Sequence, residues 1–283
     1  MKKIEEKLRE IGANNPNKKI CIIIGNPVEH SLSPAMHNAS YKSIGLNDQF
    51  IFDRVNVTED ELKYFIEVVK KFNSIVGITC TMPHKQSIIQ YLDELKDEAR
   101  IINAVNTVLI QNGKYVGYNT DWYGIERPFI ERKINLKNKK VAIIGAGGAS
   151  KAAIYTFKKN NCIVNILNRT KEKADLLAEE FNCNSFSLND KEIIKNSDVI
   201  INTTNVGMGD MSDLLPIDVN LINKNQIIFD CIYKPKETKL IQSAKIVGTE
   251  VIYGWEMLLY QGIMQFEIYT DHKADIESMR SVL

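Results

Sequence analysis

The chain has 283 residues, of which 44% are hydrophobic, 25% charged and 8% aromatic, as in globular proteins and unlike disordered or fibrous ones. At about 150 residues per domain, this length favours two domains. The 36 basic and 35 acidic residues leave a formal net charge of +1, so no large field of one sign is available to bind nucleic acid or an anionic membrane. A small molecule is therefore the expected partner.

The sequence also indicates a compartment. No stretch approaches the ~18 consecutive apolar residues that span a bilayer, and the charged start MKKIEEKLRE lacks the apolar run of a secretory signal. The five cysteines are scattered without a CxxC pair, so neither a disulfide framework nor a cysteine zinc site is indicated. We expect a cytoplasmic protein with reduced, mostly buried thiols and no metal site.

The first half of the chain alternates strand and helix patterns. Residues 1–17 begin as a charged helix with Ile4, Leu8 and Ile11 on one face, and the ordinary interpretation is an extension packed on the surface. The strand patterns that follow are KICIIIG, QFIFDRVNV and SIVGITC. The helix patterns are PAMHNASYKSIG, TEDELKYFIEVVKKFN with a Thr58–Glu61 capping box, HKQSIIQYL and DELKDEARIIN. AVNTVLIQNGKYVGYNT predicts a hairpin that turns at Asn112-Gly113.

A second α/β unit follows the helix pattern DWYGIERPFIERK. KKVAIIGAGGASKAAIYTFKKNNCIVNILNRT is typical of strand, glycine turn, helix and strand. DVIINTT, QIIFD and TEVIYG are further short apolar runs suited to buried parallel strands. WEMLLYQGIMQFEIYT and the tail to Leu283 are helical and lie outside this alternation, so we expect them to pack on the first unit. The pattern as a whole predicts an α/β protein with helices covering parallel strands.

The glycine turn is a candidate dinucleotide site. Its residues stand between the apolar strand VAII and a helix: Gly145, Ala146, Gly147, Gly148, Ala149 and Ser150. Glycines in this position make the tight turn and let a pyrophosphate approach the helix N-terminus. The alternative is a tight turn with a structural role only.

The next strand ends at Asn168-Arg169-Thr170, where an enzyme that uses NAD would normally place an acid for the ribose diol. No acid stands there. The guanidinium of Arg169, the hydroxyl of Thr170, Asn168 and nearby Lys173 suit an additional phosphate instead. We therefore predict NADP rather than NAD; ordinary solvated charges at the start of a helix are the alternative.

Polar residues of the first unit form a candidate substrate site. In GNPVEHSLSPAMHN, Ser33 fits a helix N-cap and Pro34 the first helical position, while Ser31 and Ser33 could equally bind a carboxylate. Lys85 follows a strand end, although an isolated lysine is usually solvated. With Asn106 and Asp121, this group suits ketone and alcohol chemistry on a polyhydroxylated substrate.

Eight motifs resemble those of the shikimate dehydrogenase family, in order, over about residues 20–262. They are GNPVEHSLSPAMHN, TMPHK, AVNTV, GYNTD, GAGGAS, NRT, DCIYKPKETKL and YGWEMLLYQG. The resemblance implies reversible, NADPH-dependent reduction of 3-dehydroshikimate to shikimate, in the chorismate pathway to aromatic amino acids. It implies an αβα substrate domain over residues 1–120 and a Rossmann-type NADP domain over 121–254. The C-terminal helices, 255–283, would return to the substrate domain, and the two domains would close over a cleft.

The resemblance also implies residue roles. Lys85 and Asp121 resemble the family's catalytic pair, with Asp121 orienting the lysine that stabilises and protonates the substrate oxygen. The residues that resemble substrate binders are Ser31, Ser33 and Tyr233 for the carboxylate, and Thr81, Asn106, Asp121 and Gln261 for the ring oxygens. Gly254 and the backbone near Cys231 would border the nicotinamide. Two segments depart from the pattern: Thr79 stands where Asn is common, and NTTNVGM replaces an Asn-Ala-Thr-Ser run.

Three alternatives remain open at this point. One is a quinate/shikimate dehydrogenase that uses NAD or both cofactors. Another is a noncatalytic regulator that binds NADP and shikimate, although Lys85 and Asp121 are both retained. The third is a methylene-tetrahydrofolate dehydrogenase, which would not explain the SLS, NTD and YQG motifs together. The histidines are expected to be structural, and a homodimer is left open.

Overall fold

The computed structural model describes residues 2–283, which divide into two compact units. Unit 1 comprises residues 2–120 and Gln261–Leu283, and unit 2 comprises Asp121–Tyr260. Among the described residues, none of the helices combines the length and the apolar character needed to cross a membrane.

Unit 1 is built around a six-stranded mixed sheet. Its elements in the first part of the chain are α1 (Lys2–Asn14), β1 (Lys19–Gly25), α2 (Ser33–Ser43), β2 (Phe50–Asn56), α3 (Leu62–Val69), β3 (Ile75–Cys80), α4 (His84–Ser87), β4 (Glu94–Leu95), α5 (Asp97–Ile102), β5 (Thr107–Gln111) and β6 (Lys114–Tyr118), with a 3-10 helix at Ile88–Tyr91. The strand order is β2-β1-β3-β5-β6-β4. In this sheet the β3–β5 and β5–β6 pairs are antiparallel, whereas β1–β2, β1–β3 and β4–β6 are parallel.

The predicted hairpin is confirmed. Strands β5 and β6 pair from Thr107 opposite Tyr118 to Gln111 opposite Lys114. Asn112 and Gly113 have φ values of 52° and 74°, the left-handed conformation that a two-residue turn of this hand requires. The short connection therefore follows from the two residue types that adopt positive φ most readily.

The first unit differs from the sequence prediction at several places, and HKQSIIQYL, predicted as one helix, is the short α4 followed by a 3-10 helix. Glu94–Leu95, predicted as helix, is strand β4, because pairing with β6 outweighs local helix propensity. Helix α2 already includes Ser33, so Leu32 and not Ser33 is the N-cap. The Glu61 carboxylate accepts from Thr58 N–H at 3.2 Å, but helix α3 begins only at Leu62.

Helix α1 is part of the unit 1 core and more than a solvated extension. Ile4, Leu8 and Ile11 are buried on one face of the helix and belong to the same apolar cluster as Phe65 and Val68 of α3. The opposite face carries the charges, as in the ion pair Arg9–Glu5. The 3.6-residue spacing of the three apolar side chains is what permits this burial.

Unit 2 is a parallel sheet covered by helices. Its elements are α6 (Asp121–Glu131), β7 (Lys140–Ile144), α7 (Gly148–Lys159), β8 (Ile163–Asn168), α8 (Lys171–Phe181), β9 (Asn184–Ser187), α9 (Lys191–Lys195), β10 (Val199–Asn202), β11 (Ile227–Asp230), α10 (Lys239–Val247), β12 (Glu250–Ile252) and the start of α11 (Gly254–Thr270), with 3-10 helices at Gly209–Met211 and Val219–Leu221. The strand order is β12-β11-β10-β7-β8-β9. The edge strand β9 was not predicted, because NSFS lacks an apolar run.

The C-terminal segment packs within unit 1, as the sequence led us to expect. The second half of α11 lies so close to β3 that a Cβ atom on Gly77 would be 2.6 Å from the Tyr269 ring. Helix α12 (Ile276–Arg280) lies against α2, where the Asp275 N–H donates to Ser40 Oγ at 2.9 Å. The predicted two-unit α/β fold with returning C-terminal helices is confirmed.

Candidate active site

The glycine loop, Gly145–Ser150, follows β7 in unit 2 and includes the first turn of α7. Gly145 has φ +120°, and a Cβ atom there would lie 2.6 Å from Thr203 Oγ1, so only glycine fits. A Cβ on Gly147 would have no atom within 4 Å, which leaves open space beside the N-terminus of α7. Open approach to a helix N-terminus is the arrangement that binds a phosphate group.

Two hydroxyl groups hold the glycine loop in shape. Ser150 Oγ accepts from Gly147 N–H at 3.0 Å and lies 2.8 Å from Thr203 Oγ1. Thr203 Oγ1 in turn donates to Ile144 O at 2.7 Å. Thr203 was not among the predicted site residues, although its place directly after β10 could have suggested it. Ala146, Gly148 and Ala149 are partly exposed along the same loop.

The basic turn, Asn168–Lys173, follows β8. Thr170 is the N-cap residue of α8, and Asn168 Nδ2 donates to Thr170 O at 2.8 Å, which fixes the backbone of the turn. Arg169, Thr170 and Lys173 are exposed. Within residues 2–283, the Arg169 and Lys173 side chains have no ion pair or hydrogen bond, whereas Lys171 pairs with Asp175 at 2.6 Å. Two cations therefore face solvent without a protein counter-charge.

A buried carboxylate organises the end of β11. Asp230 accepts from Thr238 Oγ1 at 2.6 Å, Asn202 Nδ2 at 3.0 Å and Ile232 N–H at 3.1 Å. Burial raises the pKa of Asp230 to about 6. These three bonds fix the backbone of the adjoining Cys231, and none of the three partners was identified from the sequence.

Gly254 packs directly on that backbone. A Cβ atom at Gly254 would overlap the Ile232 carbonyl oxygen and lie 2.7 Å from the Cys231 carbonyl carbon. The predicted cofactor residues Cys231 and Gly254 are therefore neighbours, and the contact requires glycine. Tyr233 follows, half-buried, and burial raises the pKa of its phenol. Asp121 is buried at the first position of α6.

The serine loop of unit 1, residues 26–33, follows β1 and ends at Ser33, the first residue of α2. Ser31 Oγ accepts from Ser33 N–H at 3.3 Å, so the two serines lie side by side at the start of the helix. The Arg54 guanidinium donates to Glu29 O and holds the loop from the end of β2. Ser33 is buried, while Ser31 remains partly exposed.

The segment that carries Lys85 is fixed through its backbone and through His84. Thr81 N–H donates to Ile24 O at 2.9 Å, and Lys85 O accepts from Val105 N–H at 2.7 Å. His84 Nε2 lies 2.7 Å from Val57 O, and because a carbonyl only accepts, Nε2 carries the proton. Burial lowers the pKa of His84. The Lys85 side chain is partly exposed above this anchored turn.

An amide cluster joins two predicted substrate residues in unit 1. Asn106 Nδ2 donates to Thr120 Oγ1 at 2.9 Å and to Gln261 Oε1 at 3.5 Å. Asn106 Oδ1 accepts from Thr120 N–H at 2.8 Å. Asn106 directly precedes β5 and Gln261 lies on α11, far along the chain, so the fold brings them together. Their roles in binding remain predictions.

The strand order of unit 2, with three strands on each side of a central crossover and a glycine loop after β7, defines a Rossmann-type dinucleotide-binding protein. Family comparisons narrow this class. Residues 23–108 match the shikimate dehydrogenase substrate binding domain, 129–209 match shikimate / quinate 5-dehydrogenase, and 254–283 match the shikimate 5'-dehydrogenase C-terminal domain.

Individual relatives agree with these matches. The shikimate dehydrogenase (NADP(+)) of Methanococcus maripaludis strain C6 is 44% identical over 273 residues, which cover 94% of this chain and 96% of that protein. The crystal structure of shikimate dehydrogenase from Aquifex aeolicus superposes with a TM-score of 0.89 at 39% identity, covering 95% of this chain and 98% of its own. The Thermus thermophilus enzyme in complex with NADP(H) and shikimate gives 0.86 at 31% identity, covering 93% and 97%. The chain belongs to the shikimate dehydrogenase family.

Proposed function

We propose that this protein catalyses the reversible, NADPH-dependent reduction of 3-dehydroshikimate to shikimate. The observation that best supports this proposal is that, in a chain of this family, Arg169 is exposed and has no protein counter-charge. It lies on the turn after β8, and the neighbouring strand β7 leads into the open glycine loop. We include shikimate and 3-dehydroshikimate as its small-molecule partners. We also include a cytoplasmic location, which the five free thiols support.

The residues of unit 2 fit NADP. Gly145 and Gly147 allow the pyrophosphate to approach the N-terminus of α7, a 12-residue helix with its N–H groups directed at the loop. Arg169 and Lys173 supply two cations for the 2′-phosphate, and Asn168 stands where a carboxylate would repel that group. Gly254 and the Cys231 backbone would border the nicotinamide.

NADPH supplies a hydride when bound. The protein's part is to hold the substrate and to manage the proton. Ser31, Ser33 and Tyr233 are proposed to hold the substrate carboxylate. Thr81, Asn106, Asp121 and Gln261 are proposed to hold the ring oxygens.

Lys85 and Asp121 are the proposed catalytic pair. Negative charge develops on the substrate oxygen during reduction, and the Lys85 ammonium would stabilise that charge and donate the proton. Asp121 would hold the ammonium in position. In the direction of shikimate oxidation, Lys85 would take the hydroxyl proton.

A lysine substitution tests this assignment. Lys85→Met should lower kcat by roughly 100-fold or more, because the general acid is removed, while the KM for NADP+ changes little. Lys63→Met is the matched control, since it removes an exposed ammonium from the same unit. Equal kcat values for the two variants would contradict the role of Lys85.

A charge reversal tests the cofactor assignment. Arg169→Glu should raise the KM for NADP+ by roughly 10-fold or more, because a charge-assisted bond to phosphate is replaced by repulsion. The KM for NAD+ should change much less. Lys195→Glu makes the same change of charge elsewhere on the exposed surface of unit 2. Similar effects of Arg169→Glu on both cofactors would exclude a 2′-phosphate contact.

A further inference from the structure

Buried polar side chains form a hydrogen-bonded series, here called the polar chain, between helix α11 and the sheet of unit 1. Gln265 and Tyr269 lie on successive turns of α11, Thr79 lies on β3 and Thr107 on β5, and all four are buried. Burying polar groups is unfavourable unless each finds a hydrogen-bond partner. The order of donors and acceptors in this chain therefore determines how each side chain is oriented.

The orientation of the Gln265 amide is set by a backbone carbonyl. Its Nε2 lies 3.4 Å from Asn106 O, which can only accept, so the NH2 group and not the oxygen faces β5. The same Nε2 donates to Thr107 Oγ1 at 3.0 Å. The single hydroxyl hydrogen of Thr107 is therefore directed elsewhere, to Asn106 Oδ1 at 2.8 Å.

That bond and the Thr120 N–H, which can only donate, together fix which end of the Asn106 amide faces the rest of the amide cluster. Asn106 Oδ1 accepts from both the Thr107 hydroxyl and Thr120 N–H, each at 2.8 Å. The NH2 group must then point the other way, toward Thr120 Oγ1 and Gln261 Oε1. The two ends of an amide have nearly the same shape, so hydrogen bonds of this kind are what distinguish them.

The hydrogen bonds at the other end of the polar chain, around Thr79 and Tyr269, are consistent with the same orientation of the Gln265 amide. Thr79 Oγ1 donates to Gln265 Oε1 at 3.4 Å, and its lone pairs can accept from the Tyr269 hydroxyl at 2.9 Å. Burial raises the pKa of Tyr269 well above its usual value, so the phenol keeps its proton. Donors thus run from Tyr269 through Thr79 to the Gln265 oxygen.

We propose that Gln265 is a positioning residue for substrate binding: through Thr107 it reinforces the orientation that the Thr120 N–H gives to the Asn106 amide, in which the Asn106 NH2 group faces Gln261 and a substrate oxygen. Gln261 lies one helical turn before Gln265 on α11, so the same bonds hold Gln261 in register with Asn106. The proposal rests on the proposed function, in which Asn106 and Gln261 contact the substrate ring oxygens. It assigns Asn106 to an oxygen that accepts, such as a ketone or the lone pair of a hydroxyl.

Two nearly isosteric substitutions test the proposal. Gln265→Met keeps the volume but removes the donor, and Thr107→Val removes the hydroxyl. Each should raise the KM for shikimate by roughly 3- to 10-fold, as expected for one lost hydrogen bond to a neutral group, with the KM for NADP+ within about twofold of wild type. Because both act through one chain, the double variant should be little worse than either single variant.

Phe266→Leu is the matched control. Phe266 is the buried neighbour of Gln265 and packs on Tyr41 with ring centroids 4.9 Å apart, outside the polar chain. This substitution should lower the melting temperature through lost packing while leaving the KM for shikimate unchanged. A merely structural Gln265 would behave in the same way as this control.

The proposal is overturned if Gln265→Met and Thr107→Val lower the melting temperature but leave the KM for shikimate within about twofold. Thr107→Val carries the test alone if Gln265→Met does not fold. A measurement that does not depend on turnover tests the positioning role of Gln265 separately from the proposed function. The side-chain NH2 resonances of Asn106, observed by NMR in the free protein, should shift and exchange faster in both variants, and unchanged resonances would refute the positioning role. Absence of shikimate turnover by wild-type protein would instead refute the proposed function.

Discussion

Acid should destabilise this protein through one buried histidine. His37, on α2, is fully buried and stacks on Phe52 with ring centroids 4.2 Å apart. Burial lowers the pKa of His37 to about 3, whereas an unfolded chain has a histidine pKa of about 6.5. The folded state therefore keeps the ring neutral over a pH range in which the unfolded state binds a proton.

The sign and size of the effect follow from this difference. The contribution of the neutral His37 ring to the free energy of unfolding is fully present above about pH 6.5. It is lost as the pH falls toward 3, because the unfolded state binds a proton that the folded state does not. Each pH unit below about 6.5 lowers the free energy of unfolding by about 1.4 kcal/mol. Between pH 8 and pH 5 the free energy of unfolding should fall by about 2 kcal/mol through His37 alone. Burial of His84 acts in the same direction.

The assay compares wild type with His37→Phe by urea denaturation, followed by far-ultraviolet circular dichroism, at pH 8 and pH 5. Phenylalanine can keep the stacking on Phe52 but binds no proton. The acid-induced loss should therefore be about 2 kcal/mol smaller in the variant. Phe65→Leu, a buried change elsewhere in the same unit, should lower stability equally at both pH values. Equal acid-induced losses in wild type and His37→Phe would refute the reasoning.

Three further substitutions have distinct expected outcomes. Gly254→Ala should lower the free energy of unfolding by about 2 kcal/mol or more, measured by urea denaturation, because the new Cβ would overlap the Ile232 carbonyl oxygen. Gly147→Ala should leave stability nearly unchanged but raise the KM for NADP+, because its Cβ meets no protein atom and enters the phosphate approach; an unchanged KM would contradict that placement. Arg132→Leu should cost about 3 kcal/mol, because it leaves the buried Glu256 without the guanidinium that donates to it at 2.7 and 2.9 Å. Combining Arg132→Leu with Glu256→Leu should recover most of that loss, and no recovery would count against the ion-pair explanation.

Strands with strong local patterns were predictable, and strands made by pairing were not. KICIIIG and VAII are apolar runs that need burial on both faces, and Asn112-Gly113 supplies the two positive φ values of the hairpin. Strand β9 consists of Asn184–Ser187, which have no apolar run, and its conformation is stabilised by bonds to β8. Strand β4 likewise exists through its pairing with β6.

The candidate site shows the same division between residue type and geometry. Motifs identified Asn106 and Gln261 because their residue types and order match a family. The sequence could not reveal the direction of the hydrogen bonds around them, since Gln265 and Thr107 are 158 positions apart. Gly254 was placed near the nicotinamide by motif, but the reason that it must be glycine is a contact with the Ile232 backbone.

The most direct measurement of the central claim is the initial rate at which the purified protein forms NADPH from NADP+ or NADH from NAD+. Shikimate and quinate should each be offered with NADP+ and with NAD+, alongside Lys85→Met. We expect fast turnover only for shikimate with NADP+, and loss of that turnover in the variant. Preferred turnover of quinate with NAD+, or no turnover by a folded protein that still binds NADPH, would contradict the central claim.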